Sequence, residues 1–372
     1  MPALHPHIDP DGHLEYSVVY TDRALNHMSQ RFQTVMRDLS ALLKHVYHAD
    51  AVAIVPGSGT YAMEAVARQF VQGQNTLIIR NGLFSYRWTQ IIDTGKLSPH
   101  VIVMKAQAQG RAFAPAAIAD VTAAIARERP AVVFAPHVET ASGMILPDDY
   151  IRALADATHA AGGLLVIDCV ASGAIWLDMQ ALGIDILLSA PQKGWSGTPC
   201  CGLVMLGERA LARLAETESD SFACDLKKWH AIMQAYENGT HAYHATMPTD
   251  SLLALRDVMH EAQTIGFDTL KTAQQQLGAE VRTLLAQHGY HSVAADGYGA
   301  PGVVVCHTDN PELASGRAFA AHGMQIAAGV PLQIDEPADY QAFRIGLFGL
   351  DKLQNIPRTV NNLRDVLEKL QA

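Results

Sequence analysis

The chain has 372 residues, beyond the size at which a single hydrophobic core usually stops growing, so two domains are expected. Its apolar fraction of 49% is ample for folding, and a formal net charge of −10 with no block of Lys and Arg argues against a nucleic-acid partner. The start, MPALHPHIDPDGH, has neither the basic opening nor the apolar run of a signal peptide, and no stretch of about 18 apolar residues offers to span a membrane, so a cytoplasmic protein is expected.

Residues 1–20 hold three His and three Pro with little periodicity and read as an arm. From Leu25 to Leu43 apolar residues fall at helical spacing, through Met28, Phe32, Val35, Met36 and Leu39, predicting one long amphipathic helix. A strand at Val52 to Val55 then enters Pro56-Gly57-Ser58-Gly59-Thr60, after which Tyr61 to Arg68 reads as a helix. This order leaves the amides of Ser58, Gly59 and Thr60 unpaired at a helix start, where they and the two hydroxyls can either cap the helix or hold a phosphate dianion. Met63 falls where a dinucleotide fingerprint needs its third Gly, and the Walker Gly-Lys-Ser/Thr is missing.

The strand Thr76 to Ile79 leads into Arg80 to Trp88, read as a loop with three aromatics and two arginines, which either cover a planar ring or pack the next helix. Further strands are expected at Val101 to Met104 and Ala131 to Ala135, with a helix around Pro115 to Arg127 between them. The second strand ends in the polar loop Pro136 to Gly143, where His137 is either structural or functional. After a helix at Tyr150 to Ala161 comes the most informative stretch. Asp168 closes the apolar run Leu164 to Ile167, and Lys193 follows the run Ile184 to Ser189. Both therefore belong at the carboxyl ends of neighbouring strands, the edge where open α/β sheets bind ligands. A strand-end acid and a lysine suit pyridoxal phosphate, whose aldehyde needs a lysine and whose ring nitrogen needs an anionic partner.

Beyond Lys193 a glycine-rich segment returns to a strand at Leu203 to Leu206. The adjacent Cys200 and Cys201 read as small core residues rather than nucleophiles, and five cysteines without a disulfide or zinc framework fit a reducing compartment. His241 and His244 lack a third ligand at metal-site spacing, and a polar loop explains them better. From Thr249 a long helix carries the chain into a small α+β domain, with the boundary placed near residue 255, giving 21–255 and 256–372. That domain is expected to hold helices at Thr269 to His288 and Pro311 to His322, strands at Val303 to His307 and Phe343 to Phe348, and a final helix from Ile356. Arg344 stands in its last strand, where a buried charge needs either a substrate carboxylate or an Asp or Glu across the strand.

In their order, these motifs resemble the class V aminotransferases of fold type I, in the branch of alanine:glyoxylate and serine:pyruvate aminotransferases. The likeness spans roughly residues 25 to 365 and rests on His27-Met28-Ser29, Gly57 to Thr60, Gly82 to Arg87, Glu139-Thr140, Asp168 with Val170-Ala171-Ser172, Gln192-Lys193, Tyr243 to Pro248 and Arg344-Ile345-Gly346. It implies a large domain with a mostly parallel seven-stranded sheet, a smaller C-terminal α+β domain, and pyridoxal phosphate as cofactor. It further implies Lys193 as the internal aldimine, Asp168 on the pyridinium nitrogen, Phe84 stacked on the ring and Thr140 near the ring hydroxyl. Ser58, Gly59, Thr60 and Gln192 would hold the phosphate, with Tyr243 and Thr246 arriving from a second subunit of a homodimer, and Arg344 would bind the α-carboxylate.

The reaction so implied is transfer of an amino group from a small donor to a 2-oxo acid such as pyruvate or glyoxylate. A lyase or desulfurase on the same cofactor is the rival, yet the small domain has no glycine-rich cysteine loop, and Cys306 falls in an expected strand. A non-catalytic ligand-binding relative is a further rival, against which the intact Lys193 and Asp168 count. Where relatives open with a Pro-Gly-Pro loop, this chain has Leu14 to Asp22, so the lining on that side is expected to differ.

Overall fold

The computed structural model describes residues 13–371, so most of the expected N-terminal arm, residues 1–12, lies outside the described residues. The centre is a seven-stranded sheet whose strands, from one edge to the other, are Ala51–Pro56, Cys201–Leu206, Ile186–Ser189, Leu164–Asp168, Val132–Pro136, Thr76–Arg80 and Val101–Lys105. Within this sheet Cys201–Leu206 alone runs against the rest, pairing antiparallel with both of its neighbours. The other pairings are parallel, so the turns after Ala51–Pro56, Leu164–Asp168 and Ile186–Ser189 emerge on one edge. Helices cover both faces, which explains why the central strands are continuous apolar runs rather than alternating ones.

The first helix is shorter than its apolar spacing predicts. It runs Gln30–Tyr47, with Ser29 as its N-cap accepting the Phe32 N–H at 3.1 Å. Ahead of it the Asn26 side chain accepts the Met28 N–H at 2.8 Å, a local turn that competes with helical bonding. Leu25 is buried all the same, so its place in the apolar pattern reflects the core and not a helix. The Arg80 to Trp88 stretch also differs from the loop expected there: the helix Leu83–Gly95 begins inside it, and Trp88 stacks on Phe134 with ring centroids 4.2 Å apart.

At the other end, a three-stranded antiparallel sheet orders Val303–His307, Ala342–Gly346 and Ala327–Ala328. The helices Phe267–Gln287 and Ile356–Gln371 pack together beside it. The helix expected over Pro311 to His322 is two short ones, Pro311–Ala314 and Arg317–Ala321, broken at Gly316, whose φ of +79° lies in the left-handed region. Residue 255 falls inside the helix Thr249–Ile265, and the chain next leaves helical geometry at Gly266. Among the described residues no helix is long and apolar enough to cross a membrane.

Candidate active site

The carboxyl edge of the sheet forms one cavity, and each wall comes from a different strand end. The strand Ala51–Pro56 delivers the first wall through Gly57, whose φ of +119° requires glycine. The Gly57 N–H donates to the Cys200 carbonyl at 2.9 Å, and a Cβ on Gly202 would sit 2.8 Å from the Ser58 carbonyl, so the turn lies tightly on the return strand. Ser58 occupies the N-cap position of the helix Gly59–Phe70, but its hydroxyl makes no capping bond. Of the two roles open to Ser58, side-chain capping is the one not used. Ser58, Gly59 and Thr60 instead line the cavity. A Cβ on Gly59 would come within 2.9 Å of Val170 Cγ2, so glycine lets this turn approach the loop after Asp168.

The second wall is the start of the helix Leu83–Gly95, which contributes Phe84 and Arg87. Its first turn is fixed by Glu139, a fully buried carboxylate that accepts from the N–H groups of Phe84 at 3.2 Å and Ser85 at 2.8 Å. A negative charge at a helix N-terminus is favoured by the unpaired amides there. The same carboxylate accepts the Ser85 hydroxyl at 2.7 Å and the Ala141 N–H at 3.0 Å. Glu139 thus joins this helix to the Pro136 to Gly143 loop, whose Val138 and Thr140 form the third wall. His137 points away into the core, where Nδ1 meets Ser172 Oγ at 2.7 Å and burial pushes its pKa down to about 3.

Asp168 and Lys193 both line this cavity, with Gln192 beside the lysine and Val170 and Ala171 beside the acid. Asp168 is only 8% exposed and accepts the Val170 N–H at 2.9 Å. Burial pushes its pKa up to about 6, against the pull of that bond and of the cations Arg87 and Lys193. Lys193 is held below the usual lysine range, first by burial and then by Arg344 and Arg87, with Asp168 opposing. Its ammonium nitrogen lies 5.1 Å from the centre of the Phe348 ring.

Arg344 approaches from the small sheet. Its Nε donates to the Ala328 carbonyl at 2.8 Å, and its guanidinium carbon stands 5.7 Å from the Phe84 ring centre. No Asp or Glu among the described residues pairs with it across the strand at ion-pair distance. Tyr243 and Thr246 are not brought to this cavity. Tyr243 is 54% exposed, and its hydroxyl lies 3.2 Å from Thr246 Oγ1. His244 bonds the Phe222 carbonyl at 2.8 Å, while Cys200 and Cys201 are buried.

Sequence reasoning placed Glu139 only within a motif and gave Arg87 no role of its own. Both act through contacts between segments distant in the chain, which leave no local signal.

A glycine turn at a helix start, a strand-end carboxylate and a lysine on the edge of a seven-stranded, mostly parallel sheet define the α/β architecture of fold type I aminotransferases. The family model described as "Aminotransferase class-V" matches residues 13–311. The chain belongs to the aminotransferase class-V family, whose members are pyridoxal-phosphate enzymes. It is 24% identical to an alanine--glyoxylate aminotransferase of Mus musculus over 356 residues, 93% of this chain and 83% of the relative. It is 29% identical to a 2-aminoethylphosphonate--pyruvate transaminase of Burkholderia ambifaria over 358 residues, 94% of this chain and 89% of that one. Among solved structures, an alanine--glyoxylate aminotransferase from Nostoc sp. superposes with a TM-score of 0.79 at 24% identity, covering 93% of this chain and 89% of the other.

Proposed function

We propose that the chain is a pyridoxal-phosphate aminotransferase that moves an amino group from a small amino donor to a 2-oxo acid such as pyruvate or glyoxylate. The observation that carries this reading is the convergence of Asp168, Lys193 and the Ser58 to Thr60 turn on one cavity. The donor set fits the cofactor. Ser58 has a hydroxyl free of capping, Gly59 and Thr60 offer helix-start amides, and Asp168 is a buried carboxylate short of a cationic partner.

In this reading Ser58, Gly59, Thr60 and Gln192 hold the phosphate, Phe84 covers the ring and Thr140 donates to the ring hydroxyl. Asp168 keeps a proton on the ring nitrogen. When bound, the cofactor supplies an electron sink that makes the α-hydrogen of an amino acid removable as a proton. Lys193, already biased toward the neutral amine by burial and by Arg344 and Arg87, would take that proton. Arg344 holds the substrate carboxylate, its free guanidinium nitrogens matching a carboxylate's two oxygens. Tyr243 and Thr246, exposed and outside their own cavity, complete the phosphate site of a second copy, so the active unit is a homodimer. A domain boundary near residue 255 would place Arg344 on the smaller domain and Lys193 on the larger.

Cys306 is buried in the strand Val303–His307 with its thiol pushed up to about 12, which argues against a desulfurase that needs a mobile thiolate. The test is a matrix of amino donors against pyruvate and glyoxylate, with product amino acids read by chromatography. Turnover of at least one pair supports the reading, and production of ammonia or a sulfur product instead of a new amino acid would replace it with a lyase or desulfurase.

A further inference from the structure

We propose that Arg87 is the counter-ion of the cofactor's phosphate, and that it thereby couples the phosphate site to the ring-covering Phe84. The proposal rests on reading the cavity as a pyridoxal-phosphate site. Arg87 stands three residues after Phe84 on the helix Leu83–Gly95, a spacing that puts both side chains on one face. Its guanidinium carbon lies 4.8 Å from the Phe84 ring centre, and Nη1 donates to Thr60 Oγ1 at 3.3 Å. Because Thr60 accepts that bond, the hydrogen of its own hydroxyl is free to be donated onward into the cavity.

Three facts point the guanidinium at an anion. Among the described residues it has no carboxylate at ion-pair distance, so most of its five donors are unused in the free pocket. The phosphate-holding groups Ser58, Gly59, Thr60 and Gln192 are all neutral, and neutral donors alone leave a dianion's charge uncompensated. The other cations are engaged elsewhere: Lys193 is the other cationic residue lining the cavity and serves the aldehyde, and Arg344 reaches Phe84 from the small sheet while bound to the Ala328 carbonyl. Arg87 is the positive charge that stands beside the cradle itself.

The experiment compares two aldehydes that differ only in the phosphate. Apoprotein of the full chain is titrated with pyridoxal phosphate and with pyridoxal, following visible absorbance, in wild type, Arg87→Gln and Arg87→Lys. Loss of a charge-assisted bond is expected to weaken pyridoxal phosphate binding about 10- to 100-fold in R87Q while moving pyridoxal by less than about threefold. R87K should recover part of the lost affinity, and inorganic phosphate should compete with the cofactor less well in R87Q than in wild type. Equal weakening of both aldehydes in R87Q, or in R87K should R87Q not fold, would overturn the proposal and leave Arg87 as a packing partner of Phe84. Unchanged binding of both would overturn it too. A wild type that binds pyridoxal phosphate no better than pyridoxal would instead sink the cofactor reading, and this proposal with it.

Discussion

The Glu139 carboxylate takes both donors of Ser85, the N–H at 2.8 Å and the hydroxyl at 2.7 Å. With the Phe84 and Ala141 amides it is bonded on every side, although burial pushes its pKa upward. A buried acid of this kind is costly alone and stable only with its donors. Because those donors start the helix that carries Phe84 and Arg87, the shape of one cavity wall depends on a side chain that does not line the cavity.

Removing that acid is therefore expected to cost stability first. Glu139→Ala leaves the amides of Phe84, Ser85 and Ala141 without a partner and should lower unfolding free energy by about 2–4 kcal/mol in urea titrations. Glu139→Gln should lose roughly 1–3 kcal/mol, since its amide nitrogen must face a donor. A wild-type midpoint in both variants would mean that Glu139 anchors nothing.

Asp168 predicts the pH dependence of cofactor binding. Burial holds its pKa at about 6 in the free pocket, so in the proposed reading the carboxylate meant for the ring nitrogen is lost as pH falls through that value. Affinity for pyridoxal phosphate should drop between pH 7 and pH 5 and level off once Asp168 is protonated. Asp168→Asn should bind weakly with a flatter profile, measured by absorbance titration at each pH.

Two buried groups pull stability in opposite directions. His137, depressed to about 3, binds its proton less readily folded than unfolded, so its contribution is present above about pH 6.5 and is lost as pH falls from there toward 3. Asp168, raised to about 6, takes up its proton earlier when folded, so it adds stability as pH falls from about 6 toward 4. His137→Gln should flatten the loss of unfolding free energy between pH 7 and pH 4. Asp168→Asn should steepen it.

For Arg344, an Arg344→Ala variant is expected to raise KM for carboxylate donors by about 10- to 100-fold with a smaller effect on kcat, as for a group that binds ground and transition states alike. An unchanged KM would reduce Arg344 to its bond with the Ala328 carbonyl.

The strand ends were legible because buried parallel strands leave apolar runs; Asp168 closes one and Lys193 follows another. The turn at Ser58 was readable as a choice between cap and cradle, and its hydroxyl makes no capping bond. The hairpin Gln107–Gln109 with Ala112–Ala114 left no signal, since its strands are short and partly polar and turn at Gly110. Arg31 and Arg37 look no different in sequence from Arg87. What distinguishes Arg87 is the meeting of its helix with the Thr60 turn, a contact between distant segments. The anchoring by Glu139 was hidden for the same reason, being a contact across 54 and 55 residues.

The central claim is that Lys193 holds pyridoxal phosphate in this cavity, and the absorbance spectrum of the purified protein with added cofactor tests it most directly. Wild type should show the visible band of a lysine-bound cofactor, which shifts on adding a competent amino donor, and Lys193→Ala should lack it. A wild-type protein that stays colourless with excess pyridoxal phosphate, or a Lys193→Ala variant with the same band, would contradict the account.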